Sequence, residues 1–429
     1  MIFSHHILLS AIVLASSTVS ALYIPQASPI KIPFYTKGTK LTKRGGIDTP
    51  LTSFTDGAYY YAEVQIGTPP QKFDLVLDTG SADLFVSSLG CPKKYCQFSI
   101  FNETASTTYV SSDNDALVNK YGVDPKTVYV NGSFGYETVT MGGITVKNQK
   151  FARAYNLSTV ALASVDPEFA QPEGIVGLGF PDLTNSPKGP YSPLLFSMYQ
   201  QGSIPSPIFS WHYAPGFVTS RIQGELMLGG VDASKYTGDL HYTPVLNILG
   251  SKRYWQSYIQ SFGVTGDGSS SNYTFFHENR NNSLRAIFDT GTPLTIFPAS
   301  YVKSMYIDLT GSEPTNSSNS AAPMYAIDCA VAKTNKRVHL DFSRKGNDAS
   351  MDEHPLVIDM PVSSLILPVD DIDVDRATVC YLGIQFSETT NFFLLGQSVL
   401  HNFYLSFDFG KNQTGFAVPV NSTASVYIA

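Results

Sequence analysis

The sequence predicts an all-β protein built as two similar lobes, and three observations carry that expectation. The tripeptide Asp-Thr-Gly occurs at 78–80 and again at 289–291, each time closing an apolar run, Phe73 to Leu77 and Ala286 to Phe288. An apolar-apolar-Gly segment follows each copy at comparable spacing, Ile175-Val176-Gly177 and Leu394-Leu395-Gly396. From Tyr59 onward, short alternating runs are punctuated by Gly and Pro, present in 33 and 26 copies. At 429 residues the chain is long enough for two cores.

The first segment reads as an address rather than as structure. Ile7 to Ala15 is a short apolar core, and Val19-Ser20-Ala21 offers small residues for cleavage after Ala21. The run is too short for a membrane anchor, so residues 1–21 are expected to be a signal peptide, although the positions before it hold His5 and His6 rather than Lys or Arg. Residues 22–44 carry Lys31, Lys37, Lys40, Lys43 and Arg44 and no acid. They end in a dibasic pair before Gly45-Gly46, which predicts a pro-segment removed at Lys43-Arg44. Its loss takes the net charge from −7 to about −12. A basic segment over an acidic body fits an enzyme kept silent until acidification. The remaining chain divides into 45–207, holding the first Asp-Thr-Gly, and 208–429, holding the second.

Within the body, Tyr61 to Ile66 alternates as a strand and Gly67-Thr68-Pro69-Pro70 is a turn. Val128–Val130 and Phe134–Tyr136 flank Asn131-Gly132, a dipeptide that predicts a hairpin turn there. Helices are expected to be few, with Ser192–Gln201 and Pro298–Leu309 the best candidates.

Composition narrows the function. Charged residues are 15% of the chain, low for a globular domain, and the negative net charge argues against nucleic acid and anionic membranes as partners. Eight sequons, at Asn102, Asn131, Asn156, Asn272, Asn281, Asn316, Asn412 and Asn421, agree with secretion and predict glycosylation. The polar tail after Val420 carries no apolar stretch for a lipid anchor. Cys91, Cys96, Cys329 and Cys380 leave more than one pairing open, with pairing inside each half the simplest. The histidines are scattered, without His-Glu-x-x-His, so neither a metal nor another cofactor is expected.

A single Asp-Thr-Gly is most often a turn, because Asp and Gly suit such backbones. Two copies in matched contexts point instead to Asp78 and Asp289 as a catalytic pair. Gly80 and Gly291 let backbone amides approach a carboxylate; Ser81 and Thr292 supply hydroxyls to orient it; Thr79 and Thr290 can bond across the symmetry axis. Two carboxylates in contact share a proton, so one serves as acid and the other as base toward water and an amide.

These motifs resemble the pepsin family of aspartic endopeptidases, of the secreted fungal type. The likeness runs from about Tyr59 to Val418 and includes Ile66-Gly67-Thr68-Pro69-Pro70-Gln71, Gly135 to Val139, Gly174 to Gly179, Leu228 to Asp232, Tyr254-Trp255-Gln256 and Phe403 to Asp408. The resemblance implies two pseudo-symmetric β-barrel-like lobes with a cleft between them. It implies an extended peptide substrate with bulky apolar residues at the cut, inhibition by pepstatin-type compounds, a monomer, and disulfides Cys91–Cys96 and Cys329–Cys380. It also implies a hairpin flap with a Tyr-Gly pair, here Tyr121-Gly122. Several positions depart from the family pattern. Val123 to Asn131 lengthens the flap and includes Pro125; Phe85 stands where a Trp usually partners the flap tyrosine; Gln397 replaces an Asp; and Pro293 follows Thr292. Without the indole N–H, the Tyr121 hydroxyl needs another partner. Ile32-Pro33-Phe34 is similar to the family's first pro-strand, and a lysine at 31, 37 or 40 is the candidate to face the aspartates in the zymogen.

Two alternatives share the fold: a catalytically weak peptide-binding relative, and a processing protease preferring basic residues. A serine or cysteine hydrolase is disfavoured because Gly-x-Ser-x-Gly is absent. The expected destination is extracellular, with an acidic vacuole as the alternative.

Overall fold

The computed structural model describes residues 27–35, 59–93, 96, 99–121, 129–157, 173–214, 222–275, 284–315, 323–346, 350–368, 370–371, 373–389 and 391–429. Ala21, Lys37, Lys40, Lys43, Arg44, Gly122, Pro125, Asn281 and Asn316 lie outside the described residues.

Ten strands span the first half and the start of the second: β1 (Ile30–Tyr35), β2 (Tyr61–Ile66), β3 (Gln71–Asp78), β4 (Leu84–Ser87), β5 (Val110–Lys120), β6 (Tyr129–Met141), β7 (Ile144–Leu157), β8 (Gly174–Gly177), β9 (Ile208–Tyr213) and β10 (Ile222–Leu228). Alternation drives their burial: Phe73, Leu75 and Leu77 of β3 point into the core, and Val64 and Ile66 of β2 meet them. The order β2-β3-β8-β4-β7-β6, closed by pairing of β6 with β2, makes a six-stranded barrel with β5 along its outside. Closure removes the exposed edges of an open sheet.

The second half repeats the local pattern around its own Asp-Thr-Gly. β3 runs parallel to β8, which runs antiparallel to β4. Arg285–Phe288 runs parallel to Phe393–Leu395, which runs antiparallel to Thr295–Pro298. In both halves the apolar-apolar-Gly segment is thus the neighbour of the strand that ends in the aspartate. The halves also share a sheet: β9, β10, Tyr236–Pro244, Tyr404–Asp408 and Gln413–Pro419 join the barrel strands in one sheet of 13. An aromatic core lies over it, with Phe209 stacked on Phe407 at 4.7 Å and Trp255 edge-on to both.

β1 is the link between β10 and β2. Ile32 and Phe34 are buried, and Phe34 stacks on Trp211 at 4.4 Å. Lys31 on its outer face pairs with Asp232 and Glu225. Its hydrogen bond, with those of Ser234, brings the Asp232 carboxyl down to about 2. Lys31 is therefore engaged by these two acids and is not the lysine that faces the aspartates.

The hairpin expected at Asn131-Gly132 does not form. β6 passes straight through both residues, with a bulge against β7 at that point. Gly132 is required there for close approach: a Cβ would sit 2.4 Å from the Arg153 carbonyl oxygen. The turn between β6 and β7 is instead Gly142-Gly143, both at positive φ. Both expected helices are present, as Leu194–Gln200 and Ala299–Thr310, the latter capped by Gly311 at φ 75°. Cys91 bonds Cys96, and Cys329 bonds Cys380. Among the sequons, Asn272 and Asn421 are exposed; Asn102, Asn131, Asn156 and Asn412 are partly so.

Gly132→Ala forces a β-carbon into the β7 backbone. It is expected to lower stability by about 1–3 kcal/mol, read as a drop in the thermal midpoint; an unchanged midpoint would return Gly132 to the role of a turn residue.

Candidate active site

β3 ends at Asp78 and the strand Arg285–Phe288 ends one residue before Asp289, so the two turns approach each other where the halves meet. The threonines join them. Thr79 N–H donates to Thr290 Oγ1 at 3.2 Å, and Thr290 N–H donates to Thr79 Oγ1 at 2.9 Å. The Thr79 hydroxyl then donates to the Phe288 carbonyl and the Thr290 hydroxyl to that of Leu77, at 2.7 and 3.0 Å. Each buried hydroxyl uses its donor and its acceptor across the axis, so neither is left unpaired.

The glycines make room. A Cβ on Gly80 would lie 2.5 Å from the Asp289 carboxyl carbon, and one on Gly291 would lie 2.3 Å from Asp78 Oδ1. Each aspartate thus packs against the other's glycine. Gly80 N–H donates to Asp78 Oδ1 at 2.7 Å, and Gly291 N–H donates to Asp289 Oδ1 at 2.8 Å. The outer oxygens accept from Ser81 in one half and Thr292 in the other. Both carboxyls are almost fully buried, 6% and 7% exposed, and lie within hydrogen-bonding reach of one another.

Burial first, and then the Asp289 charge, push the Asp78 carboxyl well above the usual carboxylate range. Burial also raises Asp289, opposed by the hydrogen bond from Thr292. The pair therefore keeps a proton to higher pH than isolated carboxylates do. Around it stand aromatic groups. Tyr254 is close enough for both carboxylates to act on its hydroxyl, while Trp255 Nε1 donates to the Leu178 carbonyl at 2.9 Å and ties the second half to the first. Among the described residues no group of His, Cys, Asp and Glu is arranged to hold a metal.

Tyr121, at the end of β5, reaches this site. Its ring centroid is 6.3 Å from that of the buried Phe85. Its hydroxyl accepts from Asn119 Nδ2 at 3.0 Å. Gln397 donates to the Thr290 carbonyl at 2.7 Å, so the amide serves the turn without a charge.

Sequence reasoning missed a polar group beside the site. Asp83 is fully buried and accepts from Asn119 Nδ2, from the Asn185 backbone and side chain, and from the Tyr191 hydroxyl at 2.7 Å. Farther along β5, Asp115 meets Lys150 at 2.7 Å and accepts from Ser186 and Ser112. Burial opposes that charge, but Lys150 and the two serines outweigh it and hold the carboxyl below its usual range.

Residues 59–419 match the model of the eukaryotic aspartyl protease family. The chain belongs to that family. It is 33% identical over 361 residues to gastricsin from Callithrix jacchus, covering 84% of this chain and 81% of the relative. It is 29% identical over 421 residues to cathepsin D from Dictyostelium discoideum, covering 96% and 97%. Pepsin B from Canis lupus familiaris is 31% identical over 378 residues, covering 86% and 83%. None of the three is fungal, so the similarity supports the aspartyl protease family and no narrower group. The protein is an aspartic-type endopeptidase by this membership.

The raised carboxyls have a consequence for this protease's stability. At acid pH they are protonated in both folded and unfolded chains. As pH rises through the ordinary carboxylate range the unfolded chain releases its protons first, so stability falls until the buried pair ionises. Asp289→Asn removes part of this penalty. Its thermal midpoint is expected to exceed that of the wild type near neutral pH and to match it at strongly acid pH; a gain confined to acid pH would reverse the assignment. Thr79→Val leaves the Thr290 amide and the Phe288 carbonyl without partners and is expected to cost about 1–3 kcal/mol per unpaired group, measured by denaturant unfolding.

Proposed function

We propose that this aspartyl protease is made as a secreted zymogen and cleaves extended peptides at acid pH, with Asp78 and Asp289 as the catalytic pair. The observation that carries the reading is the contact of two buried carboxyls that hold a proton between them. In that state one aspartate accepts a proton from water and the other donates one to the peptide carbonyl oxygen. The water oxygen bonds to the carbonyl carbon and a neutral tetrahedral diol results. Collapse returns a proton to the leaving nitrogen, breaks the C–N bond and restores the shared proton. Acid pH follows from the requirement that the pair keep that proton.

The aromatic surroundings, Tyr121, Phe85 and Tyr254, support a preference for bulky apolar residues beside the cut. A single extended peptide in the cleft needs no second subunit, and a pepstatin-type inhibitor is expected to compete for it. Secretion, or delivery to an acidic vacuole, follows from the apolar segment and the sequons. For zymogen processing we assign 1–21 as signal, 22–44 as pro-segment, and 45–207 and 208–429 as the two catalytic halves. The support is β1, which lies inside the proposed pro-segment yet fills a central place in the sheet, so removal at Lys43-Arg44 must be accompanied by rearrangement of the strands beside it.

Purified chain is expected to degrade denatured globin at acid pH. Pepstatin and Asp289→Asn should each bring cleavage to background, and N-terminal sequencing of the activated form should begin at Gly45. Cleavage that persists in Asp289→Asn would remove the two-aspartate mechanism.

A further inference from the structure

Hydrogen-bond polarity can be read along a chain of side chains that begins at Asp83. The Asp83 carboxylate is the meeting point of four donors, Asn119 Nδ2, the Asn185 backbone N–H, Asn185 Nδ2 and the Tyr191 hydroxyl. A carboxylate surrounded by donors only accepts, so the nitrogen of the Asn119 amide must face it; the flipped amide would set oxygen against oxygen. That fixes the second N–H of Asn119 on the Tyr121 oxygen, at 3.0 Å. The Asn119 carbonyl oxygen is buried and meets no donor among the described residues, so nothing there favours the reverse orientation.

With its oxygen already accepting, the Tyr121 hydroxyl must send its proton elsewhere. Ser81 lies beside it, and the Ser81 hydroxyl already donates to Asp78 Oδ2. Ser81 Oγ can therefore only accept. The bonds in place are Asn119 to Asp83 and to Tyr121, and Ser81 to Asp78; a Tyr121 hydroxyl turned toward Ser81 joins them into one order of donation, with Asp83 setting the direction at the far end. Asp83 and Asn119 touch neither the reacting atoms nor Asp78.

We propose that Asp83 and Asn119 are positioning residues for this protease: together they hold the Tyr121 hydroxyl with its proton directed toward Ser81 and the Asp78 carboxyl. The inference rests on the endopeptidase reading. It predicts that the polarity of the Asp83–Asn119 pair matters as well as its presence, and exchange of the two residues separates these. In the exchange Asp83→Asn with Asn119→Asp, an amide still faces a carboxylate and the local bond survives. The carboxylate at 119, however, now accepts from Tyr121 and draws its proton away from Ser81.

The test uses the full chain after acid activation, a quenched fluorogenic peptide with two phenylalanines at its centre, and thermal melting of every variant. Asn119→Ala is expected to lower kcat about tenfold with KM within about twofold. Combined with Tyr121→Phe it should lower kcat no further than Tyr121→Phe does alone, because both remove the same interaction. The exchange variant should melt within a few degrees of the wild type and keep the reduced kcat. Asn119→Ser carries the same expectation and replaces Asn119→Ala if the latter does not accumulate folded. Full kcat in the exchange variant, or losses that multiply in the double variant, overturn the positioning role. An active wild type with equally active Asn119 variants overturns that role alone. A folded, processed wild type that cleaves nothing overturns the endopeptidase reading and this inference with it.

Discussion

A carboxylate taken out of water loses its hydration, and Asp78 and Asp289 lose theirs side by side. Most of the architecture around them answers that cost. Gly80 and Gly291 allow the contact, since any β-carbon on either would overlap the opposite aspartate. The amides of the same two glycines solvate the inner oxygens, and Ser81 and Thr292 the outer ones. Donors cannot cancel the repulsion between two charges, so the pair keeps a proton, and that proton is what the proposed mechanism requires. The same desolvation that destabilises the fold near neutral pH therefore equips the site.

Holding the contact is a task for the backbone. The four threonine bonds across the axis join turns more than two hundred residues apart in the chain, and Phe288 and Leu77 accept from them just before each aspartate. Behind the turns, strands of both halves enter one sheet, and Trp255 reaches across to Leu178. A shift of one half against the other would break these bonds together. β1 lies in the middle of this arrangement with Phe34 against Trp211, so any activation that detaches 22–44 acts on the sheet joining the halves rather than on a loose appendage.

The repeat made the fold and the aspartates legible, because matched motifs at matched spacing demand matched strand pairings. Local signals did less well where tertiary contacts decide. Asn131-Gly132 reads as a turn, but Gly132 serves the approach of β7 and the strand continues. Lys31 was one of three equivalent lysines in sequence, and only the fold shows it against Asp232. Asn119 and Asp83 stand far apart in the chain and belong to no motif, so nothing local marks them as partners. One signal was present: at the offset where the second repeat has the buried apolar Leu294, the first has Asp83. A carboxylate that breaks the symmetry inside an apolar strand start is costly unless something uses it.

That break in symmetry bears on how two identical tripeptides come to do different work. The turns are nearly equivalent in their own hydrogen bonds, so the difference between the aspartates has to come from what surrounds them. On the first half, Ser81 meets Asp78 with Tyr121, Asn119 and Asp83 beside it, and β5 is fastened again through Asp115 and Lys150. On the second half, Thr292 meets Asp289, and beyond it lie Pro293 and Leu294, while Gln397 supports only the backbone of the turn. Asp78 is the aspartate that meets the polar side of the site, through Ser81, while the two carboxyls titrate as one coupled pair. A duplicated motif thus provides two equal carboxyls, and unequal neighbours distinguish them.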